Sequence, residues 1–247
     1  MKNLDSLTDD FIKLLHKHNC LVHLVRCEIE REELSHIELD KQLMETLKKD
    51  FKEKTGVKDK SDEELCRGNH ADLEDFDYFI YKEAKLKLYC LNKFSNKVES
   101  YFLKTKDKLD RIVYSLLRGS DKHKATELYL RISEEGASFS DISYQYSEGA
   151  EQITRGIVGP TQIGKSHKDL AKHLTSLKPG EISPPIKIEN YYVVVRIESF
   201  APAKLDSFMR EKLALELYVF WIEDYARDLA QKMLDQAHGN VLKSNVL

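Results

Sequence analysis

From the N-terminus to about residue 108, Leu, Ile and Phe recur at intervals of three and four, the period of helices with one buried face. Segment 1–109 is therefore expected to be an all-helical lobe. Ser6 ahead of LTDDFIKLL and Ser61 ahead of DEEL read as N-caps, the second with Glu64 closing a capping box. Gly56 reads as the stop of the helix before it. From Asp72 to Leu109 the chain is long, aromatic and charged, which suits one or two extended helices. Their aromatic stripe, Phe76, Tyr78, Phe79, Tyr81 and Tyr89, is expected in the core.

At Asp110 the texture changes. RIVYSLLR reads as a strand ending at Gly119, and DKHKATELYLRISEEG as a helix capped by Asp121, with Ala125, Leu128, Tyr129 and Ile132 on its apolar band. SFSDISYQYSEG predicts a shorter helix capped by Ser138 or Ser140, and RGIVGP a short strand between glycines. SHKDLAKHLTSLKPG predicts a third helix, and ISPPIKIENYYVVVRIES a hairpin turning near Glu189 and Asn190. After Pro202 the helical period returns, from Asp206 to about His238, and GNVLKSNVL is expected to fray.

Composition narrows the function. With 41% hydrophobic and 33% charged residues and little Gly or Pro, the chain can bury a core. A formal charge of −3 supplies no field to draw it onto nucleic acid or anionic lipid, so neither partner is expected. All five prolines fall between 160 and 202, which sets that segment apart from its helical surroundings. The N-terminus lacks the apolar run of a secretion signal, and the most apolar stretch, Leu213 to Ile222, is half a bilayer span. No membrane insertion is expected. Cys20, Cys27, Cys66 and Cys90 lack CxxC spacing and read as reduced thiols of a cytoplasmic protein. In HKHNCLVH, His16 and His18 sit two apart and do not face each other on a helix, so no metal site is expected. No phosphate loop, HExxH or GxSxG occurs, and the acidic runs read as solvated helix faces.

The middle segment, about 110–201, resembles the parvulin (rotamase) family of peptidyl-prolyl isomerases. The resemblance rests on the order and spacing of YSLLR, ATELYLRI, ASFSDISYQYS, RGIVG and LKPGEISPPIKIENYYVVVRIES. It implies an α+β chain: a parvulin-like four-stranded antiparallel sheet with helices, inserted between a helical lobe (1–109) and a C-terminal helix (202–247) that packs back on that lobe. This is the layout of SurA-like and PrsA-like foldases, and the whole chain is similar to cyanobacterial rotamase-like proteins. It implies no cofactor. The expected partner is a peptide or unfolded client, with the oligomeric state open.

Turning a prolyl bond means crossing a barrier of about 18–20 kcal/mol set by amide resonance. The family meets it with an apolar pocket and a polar set of two histidines, a cysteine or aspartate, and a hydroxyl. Position by position, the resemblance puts Ser115 at the first histidine, the pair Glu148 and Gly149 at the cysteine or aspartate, Ile188 at the hydroxyl and Val193 at the second histidine. The polar set is therefore absent. The pocket positions carry Val158, Leu170 and Ser166, implying a smaller apolar groove, and Tyr146, Tyr192 and Ser115 are further peptide-contact candidates. Gln162, His167 and Ser147 lie in segments placed near the groove, His167 reading more simply as an exposed first-turn residue. The expected function is binding of proline-containing or unfolded segments with isomerase activity weak or lost. The alternatives are an active isomerase using a relocated hydroxyl, Ser115 or Tyr192, and a scaffold in peptide maturation or export.

Overall fold

The computed structural model describes residues 2–58, 60–69 and 72–244. Its contacts divide the chain into two compact units, Met1–Glu99 with Asp206–Leu247, and Ser100–Leu205.

The first unit is helical. It comprises α1 (Lys2–Asp5), α2 (Asp9–Lys17), α3 (Leu21–Ser35), α4 (Lys41–Lys54), α5 (Asp62–Asn69), most of α6 (Leu73–Leu109) and, at the end of the chain, a helix over Ser207–Ser244. That last helix packs on α3 and α2. Leu21, Val25, Ile29 and Leu34 form the buried stripe of α3. The C-terminal helix answers with Leu213, Tyr218 and Ile222 and with the small buried Ala214, Ala226, Ala230 and Ala237, which permit close approach. The capping box holds, since Ser61 N donates to Glu64 and Glu64 N to the Ser61 hydroxyl. The N-cap of α2 is Thr8, not Ser6, whose hydroxyl instead donates to Asn3 O. Residues 73–109 form one helix. Phe76, Tyr81 and Tyr89 of its aromatic stripe are buried, but Phe79 is 70% exposed. The expectation of a frayed end is corrected in part, because the last helix runs through Gly239 to Ser244, and 245–247 lie outside the described residues.

The second unit follows the chain order β1 (Arg111–Gly119), α7 (Lys122–Ser133), α8 (Phe139–Tyr146), β2 (Ile157–Gln162), α9 (Lys168–Ser176), β3 (Ile186–Ile188) and β4 (Tyr191–Ala201), which makes the C-terminal helix α10. The four strands form one antiparallel sheet in the order β2-β1-β4-β3. Asp121, Ser138 and His167 cap α7, α8 and α9. The hairpin turns at Glu189, which has φ 49°. Buried Asp110 ties the two ends of this unit together, accepting from Ala203 N at 2.7 Å and from Lys106 Nζ at 3.4 Å.

Each face of the sheet has its own core. On one, Ile112, Tyr114, Val193, Val195 and Ile197 pack with Ile163 and with Leu170 and Leu174 of α9. On the other, Leu117 and Val194 pack with Leu128, Ile132, Phe139 and Ile142 of α7 and α8. The register is irregular in two places. Val113 faces Ser199 while Tyr114 faces Ile197, so Glu198 is an extra residue in β4, and β2 shifts against β1 between Ile112 and Tyr114.

Candidate functional site

Along β4 successive side chains alternate faces, which separates the sequence-predicted residues into two groups. Val158, Leu170, Ile188 and Val193 belong to the α9 face, where Val158 and Ile188 are half-buried and Leu170 and Val193 are core. Ser166 lies on the turn leading into α9. Its hydroxyl is buried beside the Tyr114 phenol.

Ser115, Tyr192 and Tyr146 do not join this group. Ser115 donates a short hydrogen bond to Glu198, which also pairs with Arg196, and Arg196 lies over the Phe139 ring at 5.3 Å on the α7–α8 face. Tyr192 alternates with Val193 and so stands on that same opposite face. Lys124 lies 5.1 Å and Arg131 5.7 Å from the Tyr146 ring, which packs on the α7–α8 core. Ser115 and Tyr192 therefore stand on the face of the sheet away from Val158 and Leu170. His167 is more than an exposed first-turn residue. Its Nδ1 accepts from Asp169 N at 3.3 Å as the cap of α9, and its Nε2 lies 3.3 Å from Glu189 Oε1 on the hairpin turn.

Two residues of the α9 face escaped the sequence. Tyr114 is 4% exposed and packs among Ile112, Val195 and Leu170. Burial pushes its phenol up, and the Ser166 hydroxyl beside it acts in the opposite direction. Arg118 is the second. It lies opposite Val193 in the β1–β4 ladder, on the same face as Tyr114 and Leu116.

Past Ser115, where pairing with β2 ends, the edge of β1 is covered by α8 and the turn after it. Ser143 Oγ donates to Leu116 O at 2.9 Å, Glu148 N to Arg118 O at 2.8 Å, and Arg118 N to Ser147 Oγ at 3.1 Å. Ser147 Oγ in turn donates to Glu151 Oε1 at 2.6 Å. Glu151, its side chain 5% exposed, then accepts from Arg118 Nη2 at 2.9 Å and Nε at 3.3 Å. The buried carboxylate is thus fully used, and the guanidinium is held in a fork geometry.

Gly149 makes room for this pair. A Cβ built there would lie 1.7 Å from Arg118 Nη2 and 2.3 Å from Glu151 Oε2. The ring of Tyr191 lies 5.2 Å from the Arg118 Cζ, and Tyr191 pairs with Ile188 across the hairpin. Gly149 and Tyr191 therefore flank one guanidinium, carried by a strand residue that pairs with Val193. Among the described residues no cluster of three or more His, Cys, Asp or Glu is placed to hold a metal, and no helix is long and apolar enough to cross a membrane.

The family match falls on the unit that holds the sheet. Residues 103–199 match the Rotamase family model, described as a PPIC-type PPIASE domain. That segment, less than half of the chain, is where the likeness to the parvulin-type peptidyl-prolyl isomerases lies. Among solved structures it is similar to the peptidylprolyl isomerase PrsA of Bacillus cereus (19% identity, 94% of this chain and 86% of that one, TM-score 0.48). It is also similar to PrsA of Bacillus anthracis (17% identity, 85% and 95%, TM-score 0.43). A third likeness is to a structure described under the Campylobacter jejuni SurA-like chaperones PEB4 and Cj1289 (19% identity, 82% and 79%, TM-score 0.36). No curated protein matches the chain. In architecture the chain is a four-stranded antiparallel sheet with helices and a helical unit built from both chain ends.

Proposed function

We propose that this protein binds proline-containing or unfolded polypeptide segments as a foldase whose inherited catalytic polar set is gone. One observation carries the reading. The positions of that set hold Gly149, Ile188 and Val193 on or beside the α9 face and Ser115 on the opposite one, while the apolar surface of Val158, Leu116, Ile186 and Ile188 is retained. A surface that keeps its apolar contacts and loses its proton-handling groups is suited to holding a segment more than to turning it quickly. SurA-like and PrsA-like neighbours support an unfolded client as the partner. The four unpaired thiols favour a reducing compartment, which we take to be the cytoplasm.

Calorimetric titration with proline-containing peptides and with a reduced, unfolded protein tests the reading. Saturable binding is expected, weakened at least tenfold by Val158→Asp, which puts a charge on a half-buried surface without emptying the core. Failure of every peptide to bind at millimolar concentration would sink it.

A further inference from the structure

A prolyl segment offers two things to recognise: an apolar ring, and a tertiary amide that accepts hydrogen bonds but has no N–H to give. Its complement is an apolar surface with a fixed donor at its edge. Arg118 meets that description on the α9 face. Two of its five N–H groups are committed to Glu151, and the other three have no partner among the described residues. The side chain is 32% exposed, and half-buried Leu116, Ile186 and Ile188 lie on the same face of the sheet. Its position is set from three sides, by the buried Glu151 carboxylate linked to Ser147, by the close approach of Gly149, and by the Tyr191 ring. A guanidinium free to swing would lose entropy on meeting a ligand, whereas this one is already oriented.

We propose that Arg118 is the catalytic donor of a residual prolyl isomerase activity, giving a hydrogen bond to the prolyl nitrogen as the amide twists. In the planar amide the nitrogen lone pair is delocalised into the carbonyl and is a poor acceptor. At 90° of twist the lone pair is localised on nitrogen and accepts well. A donor aimed at nitrogen therefore binds the twisted state better than either planar one, and that difference is what accelerates rotation. No covalent bond is formed and no proton leaves Arg118. Glu151 and Ser147 act as positioning residues.

The inference rests on the peptide-binding reading, so one peptide serves both tests. With the nitroanilide of Ala-Leu-Pro-Phe as probe, Kd is measured by titration and cis/trans exchange by NMR magnetisation transfer. The full-length protein is expected to bind and to raise the exchange rate. Arg118→Met combined with Glu151→Leu, which removes both charges and leaves neither buried alone, should lower kcat/KM at least about tenfold with Kd changed less than about threefold. Arg118→Lys keeps the charge but not the fork and should lose most of the rate. Circular dichroism confirms that each variant is folded. Binding without acceleration by the wild type, or full acceleration by the double variant, overturns the assignment of Arg118 and leaves the binding reading intact. Absence of binding overturns both.

Discussion

Replacing Gly149 by alanine tests the geometry of the Arg118 clamp. The backbone at Gly149 is extended, with φ −127° and ψ 178°, so any residue fits it without strain. On chain entropy alone the substitution should stabilise by about 0.4–1 kcal/mol. Contact reverses the sign. The new Cβ would sit 1.7 Å from Arg118 Nη2 and 2.4 Å from its Cζ, so the guanidinium has to retreat by about as much again to reach van der Waals contact. Such a retreat breaks the 2.9 Å and 3.3 Å hydrogen bonds to Glu151. Bonds of this kind contribute about 1.5–3 kcal/mol each, and stripping a buried charge of its partner costs about 3–5 kcal/mol. Arg118 is one-third exposed and recovers part of this from water, whereas Glu151 at 5% does not. The net expectation is a loss of about 1.5–2.5 kcal/mol. At about 2–4 °C for each kcal/mol in a chain of this length, Tm falls by roughly 3–10 °C in calorimetry. In the Arg118→Met, Glu151→Leu background the same substitution should be neutral or stabilising, because the atoms it collides with are gone. A Gly149→Ala protein as stable as the wild type would show that the fork is not held in this geometry. By the same reasoning Gly149→Cys, which supplies the thiol at that position, should leave the exchange rate no higher than that of the wild type.

Other outcomes follow from the cores. Burial works to raise the Glu30 carboxyl, but Lys82 and the hydroxyls of Tyr218 and Tyr78 outweigh it and hold it below its ordinary 4.5. Its contribution is therefore present above the unfolded-state value and lost as pH falls through the folded one. Urea midpoints should drop below about pH 4.5 with a slope that Glu30→Gln reduces, and an unchanged slope would refute this. Leu170→Ala, at a position 6% exposed, should cost about 2–4 kcal/mol in denaturant unfolding, and a loss under about 1 kcal/mol would mean the α9 core is not closed. Exposed Cys20 should react with a thiol reagent at once, whereas Cys90, 2% exposed and pushed up to about 12 by burial, should react only on unfolding. Rapid labelling of Cys90 in the native protein would count against the packing of α6.

The elements were legible in the sequence, and the faces of the sheet were not. Period and punctuation place β1 through β4 because each depends on local signals: a cap at Asp121 or Ser138, a turn at Glu189, a stop at Gly136. Phe79 is the exception because a helical stripe of aromatics is wider than the buried face: its ring meets Phe51 edge-on at 6.1 Å and still stays 70% exposed. Which side chain of YSLLR looks toward α9 depends on register. A one-residue slip moves every side chain to the other face, and here an extra residue in β4, Glu198, and a shift in β2 set that register through contacts far apart in sequence. Matching letters along the strand put Ser115 at the site. Pairing puts Tyr114 and Arg118 there and turns Ser115 toward Glu198. Arg118 was hidden for a further reason: an arginine at the end of an apolar strand reads as a solvated edge. Its partners, Ser147 and Glu151, lie 29 and 33 residues further along the chain, so nothing in the local pattern links them to the strand. What remained visible was Gly149 itself. A glycine at a position with ordinary extended backbone has no conformational reason to be glycine, so its neighbours must supply one, and the neighbour is the Arg118 guanidinium.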